Sequence, residues 1–161
     1  MIPKSGYRFS EKIMLKQENA AMIDPRLAAA ALALALFFAA STDYIPAFID
    51  TDGRVFGLFH LDVYKDALHV ASGLWAAISA MISRRAAKLF LTIFGALYFL
   101  DGVVGVFTGS GYLDLSIITQ GVLDVPQRIK FLSSLPHLGL GAFGMIASWL
   151  SSSEGREGAV A

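Results

Sequence analysis

Three ionisable residues stand inside otherwise apolar stretches of this 161-residue chain and are its main candidates for chemistry. Asp101 interrupts the apolar run "LYFLDGVVGVF", residues 97–107, and His69 and His137 lie in two other apolar segments. Two imidazoles and a carboxylate can bind a transition metal, and two facing histidines can ligate haem. The same groups can relay protons or form a hydrogen-bonded cluster between helices.

The composition narrows the class of protein. The chain is 55% hydrophobic and only 16% charged, whereas soluble domains carry about a quarter charged residues. It has no cysteine, which excludes disulfides, thiol chemistry, iron–sulfur ligation and thiolate zinc sites. Its formal net charge is zero, so no basic surface indicates nucleic acid as a partner. We therefore predict an integral membrane protein whose principal partner is the lipid bilayer.

Four segments are apolar and long enough to cross a bilayer, which takes about 20 helical residues. They are residues 24–44, 62–82, 89–107 and 135–150. Asp24 and Asp62 are favourable N-caps for the first two segments, and Pro25 suits a first helical position. The fourth helix extends back to Asp124 if Pro126 lies in its first turn. The predicted fold is an all-α membrane protein with four antiparallel transmembrane helices.

The first segment leaves one alternative open, because its apolar core, residues 27–40, is short and could be a cleaved signal peptide. The charged region before it is long for a signal, so we expect the segment to be retained. The domain organisation is then an N-terminal tail, residues 1–24, a transmembrane domain, residues 25–150, and a disordered tail, residues 151–161. Within the first tail, residues 10–23 could form an amphipathic helix on the inner surface.

Charge predicts the orientation in the membrane. The stretch "SRRAAK", residues 83–88, reads as a cationic turn between the second and third segments. Further cations precede the apolar core of the first segment, namely Lys4, Arg8, Lys12, Lys16 and Arg26. The other two connections hold most of the aspartates, and positive charge stays on the cytoplasmic side. Both termini are therefore expected in the cytoplasm, with the acidic connections outside.

A short internal repeat links the second and fourth segments. "LDVYKDALHVASGLWAAI" and "LDVPQRIKFLSSLPHLGLGAFGMI" share an opening Leu-Asp-Val, then a histidine with a glycine four residues later. These pairs are His69 with Gly73 and His137 with Gly141. The repeat predicts two related helical hairpins.

The chain resembles a family of small bacterial four-helix membrane proteins known only as a domain of unknown function. The resemblance rests on "DYIPAF", "VFGLFHLDVYKDALHVASG", "FGALYFLDGVVGVF" and the second "HLGLG", and it covers about residues 26–150. It implies the four-helix membrane fold and a location in the bacterial inner membrane. It implies no activity.

The three ionisable residues are predicted to share one level of the bundle. At a rise of 1.5 Å per residue, each lies about 20 Å along its helix from the predicted cytoplasmic end. We refer to His69, Asp101 and His137 as the polar layer. Small residues on the same helix faces allow close helix contacts. These predicted packing residues are Gly73, Gly95, Gly102, Gly105, Gly141 and Gly144.

The plainest interpretation of the polar layer is a buried cluster that holds the helices in register, with Asp101 accepting from a histidine or from Tyr98. The alternatives are a metal site made by His69, His137 and Asp101, a proton or small-solute path, and haem between the two histidines. No catalytic triad or cofactor motif stands in a recognisable context, so we predict neither an enzyme nor a resident cofactor. The expected function is a small structural or accessory membrane subunit, alone, as a homo-oligomer or with another membrane protein.

Overall fold

The structure is a computed structural model and describes residues 23–151. Within this range the chain forms helices and loops without a β-strand, which confirms the all-helical prediction. The helices are α1 (Pro25–Ser41), α2 (Val63–Ile82), α3 (Arg84–Thr108), α4 (Ser116–Thr119) and α5 (Gln127–Leu150). Two 3₁₀ turns, Thr42–Tyr44 and Pro46–Phe48, follow α1. Most of the predicted terminal tails, including the amphipathic segment up to residue 22, lies outside the described residues.

The first two long helices begin where their capping residues predict. Asp24 accepts a hydrogen bond from the backbone N–H of Arg26 at 2.9 Å. Asp62 accepts from the N–H groups of Tyr64 and Lys65, and the Lys65 ammonium lies 2.6 Å from the same carboxylate. Partial burial opposes ionisation of Asp62, but the hydrogen bonds and charge of Lys65 hold its pKa below its usual value.

The prediction of a cationic turn over residues 83–88 is wrong for all but its first residue. Helix α3 begins at Arg84, so Ser83 alone connects it to α2, and the Ser83 hydroxyl caps α3 by accepting from Ala86 N–H. Arginine, alanine and lysine are all good helix formers, so nothing in the stretch stops a helix. At the other boundary, Pro126 is the N-cap of α5, which therefore starts after Asp124.

Contacts between the helix ends show that α1 and α2 run antiparallel. The Arg26 side chain at the start of α1 donates to the carbonyl of Ala80 at the end of α2. The Tyr44 hydroxyl, just beyond α1, donates to Asp66 near the start of α2 at 2.9 Å. The most extensive pairings are α1 with α2 and α3 with α5.

The pairing of α3 with α5 depends on glycines. A Cβ atom added to Gly95 would lie 2.6 Å from the backbone nitrogen of Met145, and one added to Gly141 would overlap the backbone of Phe99. Contacts this short leave no space for any other residue. The other predicted packing glycines of this interface are Gly102, Gly105 and Gly144, whereas Gly73 packs against Phe37 of α1.

Among residues 23–151, three helical segments are long and apolar enough to cross a membrane, which supports a membrane protein. They are Pro25–Tyr44, Arg84–Thr108 and Gln127–Leu150. Helix α2 has 20 residues and so has the length, but it carries Lys65, Asp66 and His69 in its first two turns, and these lower its mean hydropathy.

Two alanine substitutions in the same helix separate close packing from helix propensity. We expect Gly141→Ala to lower the free energy of unfolding by about 1–3 kcal/mol, because the added methyl group meets the backbone of Phe99. Gly139 has no atom within 4 Å of an added Cβ, so Gly139→Ala should be neutral or stabilising by up to about 1 kcal/mol. Thermal unfolding in detergent measures both, and equal melting temperatures would contradict the glycine interface.

Candidate functional site

Asp101 lies in the last third of α3 and is 2% exposed. One carboxylate oxygen, Oδ2, is 2.5 Å from Nδ1 of His137 on α5. The other, Oδ1, accepts from the backbone N–H groups of Tyr112 and Leu113, at 2.6 and 2.8 Å. Three donors from two separate segments thus occupy this carboxylate. It connects α5 and the return loop, residues 109–115, to α3.

Two glycines allow the return loop to reach Asp101. Gly109 ends α3 in a left-handed conformation with φ of 79°, which glycine adopts without strain. A Cβ atom on Gly111 would lie 2.7 Å from the Asp101 carboxylate, so only glycine fits there. The Tyr112 hydroxyl donates to the carbonyl of Leu97. Partial burial and the nearby Asp101 charge raise the pKa of this phenol.

His69 is 8% exposed, and its ring centroid lies 6.0 Å from that of His137 in an edge-to-face arrangement. Its Nδ1 atom is buried and has no hydrogen-bond partner among the described residues. The structure therefore brings His69 beside His137 but gives it no hydrogen bond to Asp101.

The sequence analysis counted Asp101 from Lys88, but α3 begins at Arg84, so Asp101 lies about one helical turn further along α3 than that count implied. Its carboxylate oxygens accept from His137 and from the return loop instead of from His69.

Tyr98 belongs to the packing of this layer and does not serve as a partner of Asp101. Its hydroxyl donates to the Ser72 hydroxyl at 3.0 Å. Its ring stacks on Phe94, with centroids 4.1 Å apart, and lies 5.0 Å from the ring of His137. Of the two donors that the sequence offered to Asp101, the structure uses the histidine.

Sequence reasoning missed two polar contacts at this end of the bundle. Asp114 accepts from the backbone and hydroxyl of Ser116, and its carboxylate lies 3.8 Å from the Lys65 ammonium. The Asp-x-Ser spacing is a signal for this local turn. The second contact is Tyr44 with Asp66, next to Asp43. Within the described range, Asp43 and Asp66 each have one carboxylate oxygen that is buried without a hydrogen-bond partner.

A cavity of about 440 Å³ lies beside these residues. It is lined by the loop after α1, the first turns of α2, the end of α3, the return loop and the start of α5. Its polar lining includes Lys65, His69, Asp101, Asp114 and His137. Within residues 23–151, no three His, Cys, Asp or Glu side chains are grouped so that they could hold a metal ion.

The helices and this layer define an all-helical protein of membrane type with a hydrogen-bonded polar layer near one end. The chain belongs to the family described as Domain of unknown function (DUF4383), which matches residues 26–118. The match spans α1 to α3 and the return loop, so it includes His69 and Asp101 and ends before His137. Neither a curated protein nor a solved structure matches the chain.

A double-mutant cycle tests the central contact of the site. Asp101→Leu and His137→Leu should each lower the free energy of unfolding by about 1–3 kcal/mol, since each leaves buried polar groups unpaired. The double variant should differ from the sum by more than about 0.5 kcal/mol. The matched control is Asp101→Leu with His69→Leu, which should be additive. Denaturation in detergent measures the three single variants and the two double variants. Additive effects of Asp101→Leu and His137→Leu would show that the contact is absent.

Proposed function

We propose that the chain is a four-span integral protein of the bacterial inner membrane and serves as a small structural or accessory subunit. The observation that supports α2 as the fourth span is that its polar face is buried and its apolar face is exposed. Its polar residues, such as Asp66, His69 and Ser79, are buried, whereas Leu74 and Ile78 are each 50% exposed. A helix in water turns its polar face outward, so an exposed apolar face with a buried polar face indicates lipid around α2.

The exposed surface of the other long helices supports the same environment. Large apolar side chains on all three are more than half exposed, which is unusual for a surface in water. They include Leu27, Leu34 and Phe38 on α1, Leu89, Leu100 and Phe107 on α3, and Ile146 and Trp149 on α5.

The arrangement of the helices supports two related hairpins, α1 with α2 and α3 with α5. Gly73 packs against Phe37 in the first pair, and Gly141 packs against Phe99 in the second. The two repeat histidines, four residues before these glycines, face each other across the bundle. The matching glycines of the repeat thus each pack against a phenylalanine of the neighbouring helix.

A structural or accessory role follows from how the polar layer is used. Both carboxylate oxygens of Asp101 are hydrogen-bonded, to His137 and to the return loop, which supports a role in holding these two segments to α3. The apolar outer faces would then contact lipid, a second copy of the chain, or another membrane protein.

Topology is testable because the chain has no cysteine. Thr51 lies in the loop before α2 and Arg85 in the first turn of α3, just after α2, and both are exposed. In intact cells a membrane-impermeant maleimide should label Thr51→Cys, whereas Arg85→Cys should need permeabilised cells, since positive charge beside a span stays inside. Labelling of both variants from one side would mean that α2 does not span the membrane.

The metal and haem alternatives are tested on the purified protein. We expect elemental analysis to find less than stoichiometric zinc, iron, copper or manganese, and the visible spectrum to show no chromophore. His69→Ala and His137→Ala serve as controls and should leave both measurements unchanged. One bound metal or haem per chain that is lost in both variants would overturn the structural role.

A further inference from the structure

The cavity beside the polar layer has the size of a small-molecule site. Its volume of about 440 Å³ lies within the range of roughly 300–1,000 Å³ that is usual for ligand pockets. Much of its wall is apolar, with Phe38, Phe59, Leu68, Ile129 and Leu140 among the lining residues. Such a wall accommodates the apolar body of a ligand.

The charged groups that line the inner part of this cavity are already paired. Lys65 lies 2.6 Å from Asp62 and 3.8 Å from Asp114. Asp101 is held by His137 and two backbone N–H groups. The remaining charged lining residue, Arg54, is exposed to solvent. Among the other lining residues a charged ligand group would find no unpaired counter-charge, so the site suits a neutral molecule.

His69 is the cavity-lining residue whose hydrogen bonding is incomplete among residues 23–151. It is 8% exposed, and its buried Nδ1 atom has no hydrogen-bond partner among the described residues. The tautomer of a histidine is normally set by the hydrogen bond that one ring nitrogen makes. Without such a bond at Nδ1, the His69 ring can serve as a donor or as an acceptor. A hydroxyl group is both an acceptor and a donor, so it matches either tautomer.

We propose that this cavity is a binding site for a neutral amphiphile whose hydroxyl group hydrogen-bonds the His69 imidazole while its apolar body lies against the α1, α2 and α5 side of the wall. Asp101 and His137 line the same cavity but are paired with each other, so the proposed site recognises its ligand through His69 and goes beyond the proposed function. The ligand site does not depend on the number of membrane spans, so disproving it would leave the proposed topology unchanged.

A matched pair of probes tests the proposal, namely 4-octylphenol and octylbenzene, which differ only by the hydroxyl group. The full chain contains three histidines, so ¹⁵N-histidine spectra in lipid nanodiscs resolve each ring once His60→Gln and His69→Gln have assigned them. We expect 4-octylphenol to shift the His69 ring nitrogens and to select one tautomer. Octylbenzene should leave that tautomer unchanged.

Two variants extend the test beyond the spectrum. His69→Leu should bind 4-octylphenol about three- to tenfold more weakly, the value of one hydrogen bond. Ile129→Trp should reduce binding by filling the cavity while keeping His69. Equal responses to the two probes, a response of His60 alone, or no change at His69 at saturating 4-octylphenol would overturn the proposal. The wild-type spectra decide this even if a variant fails to fold.

Discussion

The carboxylate of Asp101 is the constraint on which this structure depends. A charged group inside a helix bundle costs several kcal/mol unless it is paired and hydrogen-bonded. Asp101 meets this requirement with one donor from α5 and two from the return loop. Neither segment can move away without leaving a buried carboxylate oxygen unpaired. One side chain therefore couples a helix pairing and a loop conformation.

The glycine interface and the polar contact depend on each other. Gly102 follows Asp101 and lies against Leu138, which follows His137, with an added Cβ only 2.8 Å from the Leu138 backbone. This close approach brings the two backbones near enough for the carboxylate to reach the imidazole at 2.5 Å. A larger residue at position 102 would separate the helices and lengthen that hydrogen bond.

The two repeat histidines lie side by side but differ in their surroundings. His137 pairs with the carboxylate, whereas His69 lines a cavity and has a buried nitrogen without a hydrogen-bond partner in the described part of the chain. The structural role that we propose for the first and the binding role that we propose for the second are compatible, because they use different side chains.

Local chemistry made several features predictable from the sequence: the helical class, the N-caps Asp24 and Asp62, and the small-residue faces. Each depends on neighbours along one helix or on composition. The start of α3 was missed because "SRRAAK" suits a helix as well as a turn. The partners of Asp101 were only half predictable. Helix counting pointed to a histidine, but the N–H groups of Tyr112 and Leu113 are backbone donors that no side-chain pattern reveals. Their position depends on how Gly109 and Gly111 turn the loop back onto α3, and only the tertiary structure decides that.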